Sequence, residues 1–299
     1  MTTATVTAPR TVRSRNTLWT LTGYEIRRLV RNPLFLVVVG FNAYAIYDTT
    51  SRVIFEADEL GSIPAWLLGG MGMIIFCWLT QSTWRSAEAL DVTPTAMPVR
   101  TTALCLTAVV PFGCAVLSLV AILVVRAPQG SWTYGVFDGA DRAAVQVSQI
   151  VLPALGGPLL GVAIGRWTRQ VWVGPAAELL IAGWVLLVEG LAFSYSDSQP
   201  VLLMRLFAPF ALFTGSGDRG DFVETWRGSP AAFLAWQICL CALAVVAALL
   251  YQADPLLRRR LIHALFVLVP LTAGCYALAV TGGLQHAVTV VPGFAPRPS

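Results

Sequence analysis

The side chains that usually do chemistry are few in this sequence, and their spacing excludes most kinds of site. The six cysteines stand inside apolar runs without a CxxC pair, so we expect buried free thiols rather than zinc ligands. His263 and His286 are the only histidines, which argues against a haem or multi-histidine metal centre. All 20 basic residues are arginine, whereas a Walker A loop needs a lysine. We therefore expect no catalytic site, no metal, no cofactor and no ATPase site in this chain.

Two acidic residues, Glu178 and Glu189, fall inside one apolar run and remain as candidates for chemistry. They are eleven residues apart, which is about 16 Å along a helix and returns to nearly the same face. A charge within the membrane costs about 3 kcal/mol, so these side chains should face protein or water. They could line a polar pathway or bind a cationic substrate. Alternatively, Glu178 reaches the cytoplasmic interface, and Glu189 is protonated or hydrogen-bonded at the outer end.

The composition indicates which elements position these residues. Apolar residues make up 56% of the 299 residues and charged residues only 12%, about half of the charged share in a soluble domain. A membrane span needs about 20 mostly apolar residues. Seven runs qualify, of which the first is the weakest: Pro33–Thr50, Pro64–Trp84, Thr101–Val125, Arg142–Gly165, Val173–Phe193, Ala231–Tyr251 and Leu261–Gly282. We expect an all-α, multi-pass integral membrane protein with its transmembrane domain over residues 33–282.

The arginines set the expected orientation, because cytoplasmic loops are enriched in positive charge. With the N-terminus in the cytoplasm, 13 of the 20 arginines lie on the cytoplasmic side and 7 outside. The outer loops are acidic instead, as at Glu56, Asp58 and Glu59. This orientation predicts a protein of the cell membrane with a disordered cytoplasmic tail over residues 1–16. With seven spans, the C-terminal tail over residues 283–299 lies outside.

The segment 17–32 has the pattern of an amphipathic helix that lies on the membrane surface. Its apolar residues fall on one half of a helical wheel. The other half carries Arg27, Arg28 and Arg31, which would be attracted to anionic lipid. The proline directly after Asn32 then breaks the helix. Ordinary positive charge beside the first span would explain the arginines, but it would not explain the apolar half.

Residues 85–100 connect the second and third runs and read RSAEALDVTPTAMPVR. Three charged residues of this segment would share one helical face, because they stand three apart: Arg85, Glu88 and Asp91. Pro94 ends such a helix, and Pro98 stiffens the return. The segment therefore has the features of a docking surface for a cytosolic partner. An ordinary solvated connector is the alternative.

Three glycines in the fourth run, Gly157, Gly161 and Gly165, stand four apart on one helical face. Small residues at this spacing let two helices approach closely. Pro153 and Pro158 in the same run predict a kink. We expect the glycines to serve helix packing within the chain, with a dimer interface as the alternative.

The order of these elements resembles the ABC type 2 family of transporter permeases. GYEIRRLVRNPLF before a span is similar to the elbow helix of the family, and EALDVTPTAMPVRTTALCL is similar to its cytoplasmic coupling segment. The positions that fit the coupling pattern are Glu88, Leu90, Pro94, Pro98 and Arg100. The apolar segment 200–213 is too short to cross the membrane, and it corresponds to an outer segment that is often re-entrant in the family.

The resemblance implies a six-span permease core that acts as the transmembrane subunit of an exporter. A separate cytosolic ABC ATPase would bind ATP and Mg and would dock on the coupling segment. The chain would form a homodimer or a heterodimer with a second permease, contact membrane lipid and bind no nucleic acid. The substrates that the family implies are lipids, lipid-linked glycans, peptides and drugs.

The last run, Leu261–Gly282, departs from the six spans and cytoplasmic C-terminus of the family. It would be a seventh span or a helix that packs peripherally. Two other functions stay open, namely a non-transporting accessory or immunity-type membrane protein and an integral membrane enzyme acting on lipids. The enzyme is less favoured, because no HExxH motif occurs and the intramembrane acids, about 16 Å apart, are too distant for paired carboxylate chemistry.

Overall fold

The computed structural model describes residues 14–51, 62–85, 96–126, 137, 139–195, 199–209, 211, 213–216, 222–251 and 253–290. The α-helices are α1 (Ser14–Val30), α2 (Pro33–Ser51), α3 (Gly72–Arg85), α4 (Met97–Thr107), α5 (Val109–Arg126), α6 (Gly139–Gln146), α7 (Leu152–Trp167), α8 (Val173–Tyr195), α9 (Gln199–Leu206), α10 (Pro230–Leu250) and α11 (Pro255–Thr281). Six stretches of the described chain are long and apolar enough to cross a membrane: Ser62–Thr83, Met97–Val124, Gly139–Trp167, Val173–Leu191, Pro230–Leu250 and Pro255–Thr281. The coarse prediction of a helical, multi-pass membrane protein is thereby confirmed.

The first two helices meet at a sharp bend. Their axes differ by 69° across the break between Val30 and Pro33. Asn32 caps the second helix, because its Oδ1 accepts a hydrogen bond from the Leu34 amide at 3.0 Å. The break therefore lies where the sequence predicted it, although α1 already begins at Ser14. The described part of α2 qualifies as a seventh candidate span only together with α1.

A polar contact joins α2, the weakest of the predicted spans, to α5. Asn42 Nδ2 donates a hydrogen bond to Ser118 Oγ at 2.9 Å, and both side chains are buried. Ser118 Oγ in turn donates to the carbonyl of Cys114, one turn earlier in α5. An unpaired amide would be costly in this environment. Asn42, which lowers the hydropathy of this run, therefore also holds α2 against α5.

The third span consists of α4 and α5, which are separated at Ala108. α4 begins at Met97 and has Pro98 in its first turn. A backbone amide there would have no acceptor within the helix, so its absence in proline costs nothing. Pro98, which the sequence analysis placed in the connecting segment, therefore stands in the first turn of a helix. Pro111 in α5 cannot donate a backbone hydrogen bond to Thr107, four residues earlier, which accounts for the break.

The last helix, α11, is longer than the apolar run that predicted it. It begins at Pro255 rather than Leu261, because Asp254 Oδ1 accepts a hydrogen bond from the Leu257 amide at 2.7 Å. The arginines at 258–260 therefore stand in its first two turns. Only 17% of an 18-residue apolar stretch of α11 is buried in the protein. α11 therefore lies at the edge of the bundle, mainly against α10.

The centre of the bundle is the contact between α3 and α7, the most extensive helix contact in the described part of the chain. Three glycines of α7 each face one backbone carbonyl of α3 or of the turn before it, so that Gly157 meets Gly69, Gly161 meets Met73, and Gly165 meets Cys77. A Cβ atom at any of these glycines would overlap the opposite carbonyl oxygen. The glycine stripe is therefore occupied within the chain and does not form a free surface for a dimer.

Both helices of this contact are preceded by a π-helical turn. One turn is Ala65–Met71, before α3, and the other is Val147–Val151, before α7. Pro153 stands two residues after the end of the second turn and lacks an amide to bond back into it. Pro158 lies inside α7 and faces Gly72 of α3. The structure has a π turn in this run, and the kink predicted from the two prolines stays a prediction.

The apolar outer segment that the sequence predicted forms the short helix α9 and the chain after it. Gln237 of α10 ties this chain to the bundle, since its Nε2 donates to the carbonyls of Ser148 at 2.9 Å and Pro209 at 2.7 Å. Gln149 Nε2 donates to the carbonyl of Ala211 at 3.1 Å. Two buried glutamines therefore anchor the segment to α10 and to the π turn before α7.

A small antiparallel sheet, which the sequence analysis did not predict, joins the chain after α9 to the chain after α11. Its strands lie in the order β1 (Thr214–Ser216), β2 (Phe222–Thr225) and β3 (Ala287–Val290). The turn into β3 uses Gly283 at a φ of 88°, a conformation that favours glycine. The predicted tail over residues 283–299 is therefore structured in its first part, and residues 291–299 lie outside the described chain.

Replacing Gly161 by alanine should lower the melting temperature of the detergent-purified protein, because the added Cβ overlaps the Met73 carbonyl. Overpacking of this kind costs about 1–3 kcal/mol. The matched control is Gly183→Ala in α8, where nothing lies within 4 Å of the added atom. The control should be neutral or stabilising, since alanine is favoured over glycine in helices by about 1 kcal/mol. Equal melting temperatures for the two variants would contradict the close approach of α3 and α7.

Replacing Gln237 by methionine should also destabilise the fold, because the carbonyls of Ser148 and Pro209 lose their donor. A buried polar group left without its partner costs about 1–3 kcal/mol. Gln170→Met is the control, since the Gln170 side chain is exposed. Thermal unfolding in detergent compares the two variants. A Gln237→Met protein as stable as the control would show that the glutamine does not anchor the segment after α9.

Candidate functional site

An apolar cavity of about 380 Å³ lies beside the α3–α7 contact. Its walls come from α3 and the π turn before it, from α7, α8 and α10, and from Pro209 after α9. Apolar side chains such as Met73, Leu160 and Ile181 form most of the lining. Glu178 is the one acidic residue among the described residues that line it. Ligand pockets are commonly hydrophobic with a few placed polar groups, which makes this cavity the candidate site.

The turn between α7 and α8 sets the depth of Glu178 in the bundle. Trp78 Nε1 donates a hydrogen bond to the Val171 carbonyl at 3.0 Å, and Gln81 Nε2 donates to the Gln170 carbonyl at 2.9 Å. Both donors belong to α3 and stand before its end. The turn therefore folds back along α3, and α8 begins partway along the bundle.

As a result, the Glu178 carboxylate lies against Gly70, where an added Cβ would collide with its Oε1. Gly70 stands eight residues after Ser62 and thirteen before Thr83 in the same candidate span. These separations correspond to about 12 Å and 20 Å along a helix. The carboxylate is therefore near the middle of the span, which argues against the alternative in which Glu178 reaches the cytoplasmic interface.

The electrostatic setting of Glu178 is unusual for a membrane-spanning helix. Among the described residues, its carboxylate has no ion pair and no hydrogen bond. An unpaired carboxylate at this depth costs about 3 kcal/mol, so such residues usually serve a function. Glu189 stands eleven residues later, is half-buried and does not line the cavity. The structure does not bring the two acids together into one pathway through this cavity.

A second polar site lies at the other end of α7, where Arg166 is only 1% exposed. Its Nη1 donates to Thr83 Oγ1 at 3.3 Å, whereas its Nε and Nη2 make no hydrogen bond to the described residues. Arg100 and Glu25 are close enough to influence this guanidinium electrostatically. A buried guanidinium with two nitrogens that lack a hydrogen-bond partner among the described residues can bind a carboxylate or a phosphate group.

The three arginines predicted for the polar face of α1 do not share one environment. Arg27 and Arg31 are exposed, as expected for contact with lipid headgroups. Arg28 is half-buried, forms an ion pair with Glu25 at 3.5 Å and donates through Nη2 to Ser82 Oγ in α3. The prediction that Arg28 faces lipid is therefore wrong, because Ser82 near the end of α3 supplies a closer acceptor. α1 also packs extensively against α4.

Most of the predicted coupling segment falls outside the described residues, including Glu88, Leu90, Asp91 and Pro94. Arg85 is the last residue of α3, and Arg100 is half-buried in the first two turns of α4. The described ends of these two helices lie beside the Arg166 site, since Thr83 bonds Arg166 and Arg100 interacts with it. The role of the segment itself stays a prediction.

Three residues that shape the cavity were not singled out by sequence analysis, namely Trp66, Gly70 and Gln237. The run LLGGMG contained the available signal, because small residues within a membrane helix mark close packing. That signal does not say which helix approaches or that a carboxylate faces one of the glycines. Arg166 is one of the 13 arginines that the sequence analysis assigned to the cytoplasmic side, and its burial depends on the end of α3.

No protein-family model, no curated protein and no solved structure matches this chain. Any function must therefore be inferred from the fold and the cavity. They describe a helical multi-pass membrane protein with a membrane-depth apolar cavity and a buried arginine site at one end of the bundle.

Proposed function

We propose that this protein is the transmembrane permease subunit of an ATP-driven exporter of the ABC type 2 kind. The observation that carries the proposal is the packing of α1 on α4, the helix that follows the predicted coupling segment. A helix held at 69° to the next one and packed on α4 fits the arrangement expected for an elbow helix. The apolar cavity supplies a space in which a hydrophobic substrate can be held.

The contacts also supply a path from the coupling segment to the cavity. The segment joins α3 to α4, and the end of α3 is bonded to α7 through Thr83 and Arg166. α3 and α7 are in backbone contact over three glycines, and both helices line the cavity. A displacement of the segment by a cytosolic partner would therefore move two walls of the cavity together.

In this proposal the ATPase is a separate cytosolic subunit, which binds ATP and Mg and docks on residues 85–100. The chain has no lysine and so lacks a Walker A loop of its own. The N-terminus lies in the cytoplasm, the protein resides in the cell membrane, and two permease chains form the transport unit. α11 adds a peripheral helix to a six-span core, consistent with its light burial.

A pull-down of the tagged protein from its native membrane in mild detergent should recover an ATPase chain that contains a Walker A lysine. The complex should hydrolyse ATP, and vanadate should inhibit that hydrolysis. A different tagged multi-pass protein from the same membrane serves as the control for background capture. Recovery of the folded protein without an ATPase in several detergents would contradict the proposal and would favour an accessory membrane protein.

Reversing the charges of Glu88 and Asp91 to lysine should abolish substrate export while leaving ATP hydrolysis in the complex, because this segment would no longer carry the movement of the ATPase into the spans. The matched control reverses Glu56 and Glu59, two acids of the same spacing in the predicted outer loop. The control should export at the normal rate. Normal export by a well-folded Glu88→Lys/Asp91→Lys protein would exclude a docking role for this segment.

A further inference from the structure

The cavity beside the α3–α7 contact combines apolar walls with two groups that attract positive charge. The Glu178 carboxylate is one, and the aromatic side chain of Trp66, a residue that also lines the cavity, is the other. An aromatic face and a carboxylate are the two kinds of group that proteins use to bind organic ammonium ions. Among the lining residues that the structure describes, none is basic, so none competes for the carboxylate.

The backbone leaves room for this carboxylate at one position. Gly70 faces it, and a side chain at that position would collide with Oε1. The neighbouring Gly69 and Gly72 face α7 instead, at Pro153 and Pro158. Gly70 therefore makes room for the Glu178 carboxylate, whereas Gly69 and Gly72 make room for α7.

The shape of the cavity favours an elongated apolar body on the bound cation. Along α10, its lining extends from Gln237 to Ala247, which is about 15 Å. Between these residues the lining of α10 is Leu240, Cys241, Leu243 and Ala244. A volume of about 380 Å³ lies within the range of pockets for drug-sized molecules. A small hydrated ion would leave these apolar walls without a function.

We propose that this cavity binds an amphiphilic organic cation, with the charged nitrogen at Glu178 and the apolar body along α7 and α10. The inference deepens the proposed function and rests on it for the direction of movement, since it names the class of substrate that the permease would carry. Binding itself requires only this chain. An anion or a neutral molecule of the same shape would lack the attraction of the carboxylate and would bind more weakly.

The experiment measures equilibrium binding of radiolabelled dodecyltrimethylammonium to the full chain in lipid nanodiscs, without ATP or an ATPase. Empty nanodiscs give the background from partition into lipid. We expect saturable binding at one site per chain. Unlabelled dodecyltrimethylammonium should compete, and dodecyl sulfate, which has the same tail and the opposite charge, should not. No saturable binding above background, or equal competition by dodecyl sulfate, would overturn the proposal.

Matched variants locate the site. Glu178→Gln should weaken binding roughly tenfold or more, whereas Glu189→Gln, which changes the other acid of α8, should bind like the unmodified protein. Gly70→Ala keeps the charge but displaces the carboxylate, so it should also weaken binding. Melting temperatures identify any variant that fails to fold. If Glu178→Gln does not fold, the affinity of Gly70→Ala tests the assignment instead. Unchanged affinity in a folded Glu178→Gln or Gly70→Ala protein would overturn the assignment.

The outcome separates this inference from the proposed exporter function. Saturable, Glu178-dependent binding by a chain that recovers no ATPase would support the cation site and contradict the exporter. An ATPase complex whose chain binds no dodecyltrimethylammonium would support the exporter and contradict the cation site.

Discussion

The backbone contact between α3 and α7 is the constraint on which the rest of this structure depends. Gly157, Gly161 and Gly165 allow the two helices to touch through main-chain atoms, so no larger residue fits at these positions. In lipid, where the hydrophobic effect does not drive helices together, close packing of this kind is a main source of association. α10 and α5 pack against α7, and α8 packs against α3.

The polar residues of the bundle follow from the same contact. Because α3 is held against α7, Thr83 reaches Arg166 at one end, and Trp78 and Gln81 hold the following turn against α3. That turn delivers Glu178 to mid-depth, where the cavity opens between the helix pair and α10. The α3–α7 contact thus determines both the depth of Glu178 and the position of the cavity.

Hydropathy was enough to predict the helices of the membrane domain, because the membrane imposes length and apolarity on each span separately. Local rules also predicted the break at Asn32 and the use of the glycine stripe for packing. They failed where the answer depended on a distant partner. Arg28 faces Ser82 rather than lipid, the depth of Glu178 depends on α3, and β3 forms only because β2 lies beside it.

The π-helical turn at Ala65–Met71 has a consequence for sequence variation. Its hydrogen bonds enclose one residue more than those of an α-helix. Loss of a single residue there would restore an α-helical turn and rotate the preceding part of the span by about 100°. Ala65 and Trp66 would then leave the cavity, while Met73 kept its place. A one-residue length difference in this turn among related chains would therefore mark a change in the lining of the cavity, while the helix contacts at Met73 and Cys77 were kept.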